Sequence, residues 1–77
     1  MTRDELLAEI ARMVQVDPSA LRVDMRLSAI QGWDSLAIMS FIALIHSECA
    51  IVLKVGDLAA CTTVADLVAL AAGKPSG

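Results

Sequence analysis

The run from Leu36 to Ile45 is apolar at every position but Ser40, and the pair Asp34-Ser35 stands immediately ahead of it. This run falls well short of the ~20 residues that cross a bilayer. A helix that is apolar all round is either buried or meets a partner. A chain of 77 residues builds only a small core, too small to enclose such a helix on every side. The fold must set other helices against part of the run and leave the rest facing outward.

The remaining sequence supplies those helices. Hydrophobic residues make up 57% of the chain and aromatic residues only 3%. Aliphatic side chains of this kind suit helix-on-helix packing better than a sheet, where aromatic and β-branched residues concentrate. At the N-terminus Thr2 and Glu5 have the spacing of a capping box. Leu6, Leu7, Ile10, Met13 and Val14 then recur at helical spacing, with Arg3, Glu5, Glu9 and Arg12 outside the stripe. This first helix is predicted to end near Val16, because Asp17-Pro18 disfavours continuation. Residues 17 to 33 form a long connection. Pro18 to Leu21 can make one turn capped by Asp17, and Val23, Met25, Leu27 and Ile30 can pin the rest to the core. Gln31-Gly32 reads as the turn that ends it.

The second helix is predicted from Asp34 or Ser35 to about Cys49. Leu36, Met39, Phe41, Ile42 and Ile45 are assigned to its core face. Ala37, Ser40, Ala43, Leu44 and Ser47 fall on the opposite, nearly uncharged face. Ile51-Val52-Leu53 is a linker, since no second strand is available to pair with it. Gly56-Asp57 opens a short third helix, Asp57 to about Cys61. Thr63 caps a fourth, with Asp66 well placed in its first turn. Val64, Leu67, Val68 and Ala71 form its inward stripe, and Gly73 and Pro75 stop it. The expected architecture is all-α: a four-helix bundle of three longer helices and one short one, with a long first loop. It is a single domain over residues 1–77, with a flexible tail at 73–77.

Charge and cysteine content exclude several functions. The net charge is −3, from six basic and nine acidic residues, and no Lys/Arg cluster exists to bind nucleic acid. Cys49 and Cys61 lie among apolar residues and read as small buried hydrophobes in a reducing cytosol; their spacing leaves a disulfide open. The lone His46 forms no metal-ligand set with them. No signal peptide or membrane span is visible. A cytoplasmic monomer that uses neither membrane nor metal is expected.

Ser35 remains as the residue with chemistry to perform. Asp34 is an N-cap candidate, and Ser35 then occupies the first turn. As a catalytic nucleophile Ser35 would need a base. The only imidazole, His46, lies about three turns along the same helix, out of reach, and no catalytic residue is assigned. Two readings stay open. Ser35 is a first-turn residue with no further role, or it is an acceptor hydroxyl that another enzyme modifies. The positive end of a helix suits a phosphate there.

Gly32-Trp33-Asp34-Ser35-Leu36 has the form G-x-D-S-L. Downstream, Leu36, Met39, Ile42 and Ile45, then Leu53, then Thr62-Thr63-Val64, follow in unbroken register, and Leu27 precedes the Gly. In these residues, over about Asp4 to Leu70, the chain resembles the acyl carrier protein family, including peptidyl and aminoacyl carriers. The resemblance implies that a phosphopantetheinyl transferase, using coenzyme A and Mg²⁺, attaches 4′-phosphopantetheine to Ser35. It implies that acyl groups ride as thioesters on that arm to loading, condensing or tailoring enzymes. Asp34 would position the incoming group or its metal and cap the helix, and Leu36 would anchor the helix start in the core.

The sequence departs from the family where Ala37, Ser40, Ala43 and Ser47 stand at exposed positions that are often acidic. Docking by Lys/Arg patches should therefore be weaker than usual. A dedicated carrier of a secondary pathway fits better than the general carrier of fatty-acid synthesis, with a peptidyl or aminoacyl carrier as the alternative. Trp33 should be half exposed, packed on the first loop or meeting the transferase or the arm, and His46 and Glu48 should face solvent. A reading of another class is a small helical interaction module whose second helix binds a partner, with Ser35 only a cap.

Overall fold

The computed structural model describes residues 1–73. Helices α1 (Arg3–Val14), α2 (Ser35–Cys49), α3 (Val55–Ala59) and α4 (Val64–Ala71) follow in order, with 3₁₀ turns at Pro18–Ala20 and Leu27–Ala29 in the first connection. Among the described residues there is no strand, and the all-α bundle of three longer helices and one short helix is the observed fold.

Each helix start is built as its sequence suggests, with one shift. In α1 the Glu5 N–H donates to Thr2 Oγ1 at 3.1 Å and the Thr2 N–H donates to Glu5 Oε1 at 2.8 Å, which satisfies two first-turn donors reciprocally. Helix α1 ends at Val14, short of Val16. Gln15 takes a left-handed conformation (φ 60°), and its N–H closes on the carbonyls of Ala11 and Arg12. The stop is thus made before Asp17-Pro18 can act. Helix α3 begins at Val55, not Asp57, and ends at Ala59. The reason is that the Asp57 carboxylate accepts the Lys54 N–H at 2.9 Å. Asp57 therefore serves from the third helical position rather than as the cap.

The inward face of α2 differs from the predicted one. Its buried residues are Ala37, Phe41 and Ile45, whereas Leu36 and Met39 are 75% and 55% exposed. Ile42 and Leu44 are half-buried. A helix apolar on all sides carries no polar face to set its phase, so its neighbours set it. The buried stripe steps by four residues and centres on Phe41, which is fully enclosed. The small Ala37 sits where α1 packs closely. In α4, Val64, Leu67 and Leu70 are buried, with Val68 and Ala71 at the edge of the core. Gly73 follows in the left-handed region at φ +79°. The predicted stop at Pro75 and the tail beyond Gly73 lie outside the described residues.

The long first loop is pinned, as its apolar anchors suggest, with Leu21, Leu27 and Ile30 buried and Met25 packed against them. A second device was not visible in the sequence. The loop backbone pairs with the start of α4: Leu27 N–H donates to Thr62 O (2.8 Å), Val64 N–H to Met25 O (3.0 Å) and Ala65 N–H to Val23 O (2.9 Å). The loop carbonyls thereby satisfy first-turn donors of α4 that have no intrahelical acceptor. Cys49 and Cys61 are half-buried rather than buried. The Cys61 thiol donates to the Asp57 carbonyl at 3.4 Å.

Three carboxylates sit in these local networks with lowered pKa. The N–H groups of Thr62 and then Thr63 act on Asp66, the backbone N–H and then the hydroxyl of Thr2 act on Glu5, and the Ser19 hydroxyl and then its N–H act on Asp17. A pKa lower in the folded than in the unfolded chain gives stability that is present at neutral pH and lost as pH falls through the folded value. The melting temperature should therefore hold from pH 7 to about pH 5 and decline below about pH 4, the ordinary carboxylate range. Asp66→Ala should lower it at pH 7 and speed amide exchange at Thr62 and Thr63, whose N–H groups lose their acceptor. A melting temperature constant from pH 5 to pH 2.5 would contradict this.

Candidate functional site

Three contacts place Ser35. The first lies at Gly32. A Cβ there would sit 2.4 Å from the Val14 carbonyl oxygen and 2.8 Å from the Val14 Cα, closer than any real side chain approaches. Only glycine lets the turn ahead of α2 lie flat on the last turn of α1. The second contact is Trp33, half-buried, whose ring meets Phe41 edge to face at 6.2 Å and 74°, a geometry aromatic pairs prefer. Trp33 thus packs on α2 itself, and its N–H donates to Ile30 O at 3.1 Å. The third is Asp34, the N-cap, whose carboxylate accepts the Ala37 N–H at 3.0 Å.

Ser35 is then the first residue of α2, and it is exposed. Among the described residues no side-chain hydrogen bond engages its hydroxyl. The N–H groups of Ser35 and Leu36 belong to the first turn, where intrahelical acceptors are missing. The arrangement offers an accessible hydroxyl beside unpaired donors at the positive end of a fifteen-residue helix. The only imidazole of the chain, on His46, lies eleven positions along the same helix, roughly 16 Å away by its rise. No group of three or more metal-ligating side chains occurs among the described residues.

Of the predicted site residues, Asp34 caps α2 and Ser35 opens its first turn. Leu36 does not anchor the helix start in the core; it projects outward beside Ser35, and Ala37 takes the inward place. On the far side of Ser35, an apolar groove of about 300 Å³ runs between α2 and the 51–53 linker, lined by Met39, Ile42, Ala43, His46, Val52 and Leu53. On the α1 side, Gly32, Asp34, Leu36 and Ser40 border a more polar depression of about 230 Å³ with Gln15. His46 and Glu48 are exposed, as expected. The groove was hidden in the sequence because Met39 and Ile42 read as core. The exposed Val52 opposite them only acquires meaning once α2 is rotated.

The family model described as the phosphopantetheine attachment site matches residues 4–71. The chain belongs to this phosphopantetheine-binding carrier family. Its domains carry 4′-phosphopantetheine covalently, are modified by a phosphopantetheinyl transferase and work with partner enzymes as carriers rather than catalysts. No curated protein and no solved structure matched the chain. The carrier's residues fit the group: a hydroxyl free to accept it, donors for a phosphate and a groove along which an arm can lie. Among the described residues, no helix is long and apolar enough to cross a membrane.

The Gly32 contact makes a testable claim about how the carrier holds its site. Gly32→Ala should cost about 1–3 kcal/mol, as overpacking typically does, and lower the melting temperature by roughly 5–20 °C for a domain of this size. Gly56→Ala is the control. Nothing lies within 4 Å of a Cβ at Gly56, which sits inside α3, so alanine there should raise stability by about 0.5–1 kcal/mol. Equal melting temperatures for the two variants would show that the Gly32 approach is relaxed in solution.

Proposed function

We propose that the chain is an acyl carrier protein, acting in the cytoplasm, whose Ser35 takes the 4′-phosphopantetheine arm. The observation that carries this reading is the Ser35 hydroxyl itself: exposed, without a side-chain hydrogen bond among the described residues, and first in a helix whose opening N–H groups lack intrahelical acceptors. In the transfer, the Ser35 oxygen forms a phosphodiester with the phosphopantetheine of coenzyme A, the hydroxyl proton leaves, and the nucleotide portion departs as 3′,5′-adenosine bisphosphate. A transferase and its Mg²⁺ supply that chemistry. Asp34 caps α2 through one carboxylate oxygen and presents the other toward the incoming group. The first-turn donors of Ser35 and Leu36 hold the phosphate. The bound arm supplies a thiol that carries cargo as a thioester.

The apolar groove beside Ser35 favours an acyl cargo over an aminoacyl one, since a charged amine gains nothing from Met39, Ile42 and Leu53. Partner docking rests on Leu36, Met39, Val52 and Val55, all more than half exposed. A dedicated carrier of polyketide, specialised-lipid or related assembly fits this uncharged face.

Incubation with coenzyme A, Mg²⁺ and a broad-specificity transferase, followed by intact mass, should show one phosphopantetheine adduct that Ser35→Ala abolishes. An unmodified mass with several transferases would instead favour an interaction module. Leu36→Ala should lower kcat/KM for that modification by roughly tenfold, the worth of one buried leucine, while the melting temperature stays within about 0.5 kcal/mol equivalent. Raising NaCl from 50 to 500 mM should change the rate less than about twofold, because little charge is available to screen. A steep salt dependence would contradict apolar docking.

A further inference from the structure

Ser35, Met39, Ile42 and His46 stand at i, i+4, i+7 and i+11 on α2. Eleven residues turn a helix through three full turns and about 20°, so all four lie on one line, and His46 is roughly 16 Å beyond Ser35. The last three line the groove against Val52 and Leu53. Of the six lining residues, His46 alone has a side chain that donates a strong hydrogen bond.

The length of the arm matches this line. From the serine oxygen to the sulfur a phosphopantetheine arm has about fourteen bonds. At about 1.2 Å of extension per bond, as in an extended polypeptide, it reaches roughly 17 Å. An arm laid along α2 therefore passes its methyl and methylene groups over Met39 and Ile42 and brings its sulfur level with His46.

We propose that His46 is a positioning residue for the cargo. Its imidazole N–H donates to the thioester carbonyl oxygen and holds the acyl group at the far end of the groove, where the chain beyond the carbonyl turns toward Val52 and Leu53. This rests on Ser35 carrying the arm and adds a named contact at its other end. Among the residues that line the groove, no other side chain can make that contact.

The test loads the intact chain from coenzyme A bearing an acetyl group labelled with ¹³C at the carbonyl. Nuclear magnetic resonance then compares wild type, His46→Phe and His46→Gln. The carbonyl resonance of the wild type should lie downfield of that in His46→Phe, which keeps a flat ring and loses the donor. His46→Gln should restore part of the shift, and imidazole protons should show contacts to the acetyl methyl. Ser47→Ala, one position off the line, should leave the resonance unchanged. Acetyl-loaded protein with the same carbonyl resonance in wild type and His46→Phe, and no imidazole contact, overturns the assignment while leaving the carrier reading intact. Failure of Ser35 to accept any acyl-pantetheine overturns both.

Discussion

The close approach of Gly32 to Val14 is the constraint on which the site depends. It joins the last turn of α1 to the turn that launches α2, and it does so backbone to backbone, with no side chain between. Ser35 comes three residues later, so its position is fixed by this contact together with the Trp33–Phe41 pair and the Asp34 cap. Ser35 is exposed, yet its surroundings are not loose. Rigid backbone on one side and free solvent on the other is what a residue needs when a second enzyme must find it.

The same contact explains why α2 turns the face it does. Buried Ala37, Phe41 and Ile45 belong to the core, Ala37 beside Met13 and Val14 of α1, and Leu36, Met39 and Ala43 are left outward. Exposed Leu36 and Met39, about one helical turn apart, bring no stability of their own. They gain free energy only when another surface covers them. On the proposed reading, a transferase and the pathway enzymes would each cover this face in turn.

Much of this was legible in the sequence, for identifiable reasons. The capping pairs Thr2/Glu5 and Thr63/Asp66, the turn at Pro18 and the bounds of α2 follow from local hydrogen bonding and proline geometry, which act over three or four residues. The family was legible because the G-x-D-S-L motif keeps register with Leu53 and Thr62-Thr63-Val64 over most of the chain. What could not be read depends on distant partners. The phase of α2 was misjudged because an all-apolar helix takes its orientation from Val14 and Gly32 rather than from its own pattern, and Leu36 was misplaced with it. The pairing of residues 23–27 with the start of α4 is made by backbone groups, which every residue carries. The groove against Val52 exists only after both are known.

The use made of the acidic residues completes the picture. Of nine in the chain, Glu5, Asp17, Asp34, Asp57 and Asp66 accept backbone N–H groups at turn or helix starts. Glu9 pairs with Arg12, and Asp24 lies 3.5 Å from Arg22. Asp4 and Glu48 remain, and only Glu48 is on α2, near its end farthest from Ser35. The carboxylates thus act locally, in shaping the fold, and leave the surface around Ser35 with little field to steer a basic partner. On the proposed reading, recognition there falls to the shape of Leu36, Met39 and Val52. A partner enzyme should therefore distinguish this carrier from acidic ones by apolar fit, and a carrier with an acidic second helix should be a poor substitute for it at the same enzyme.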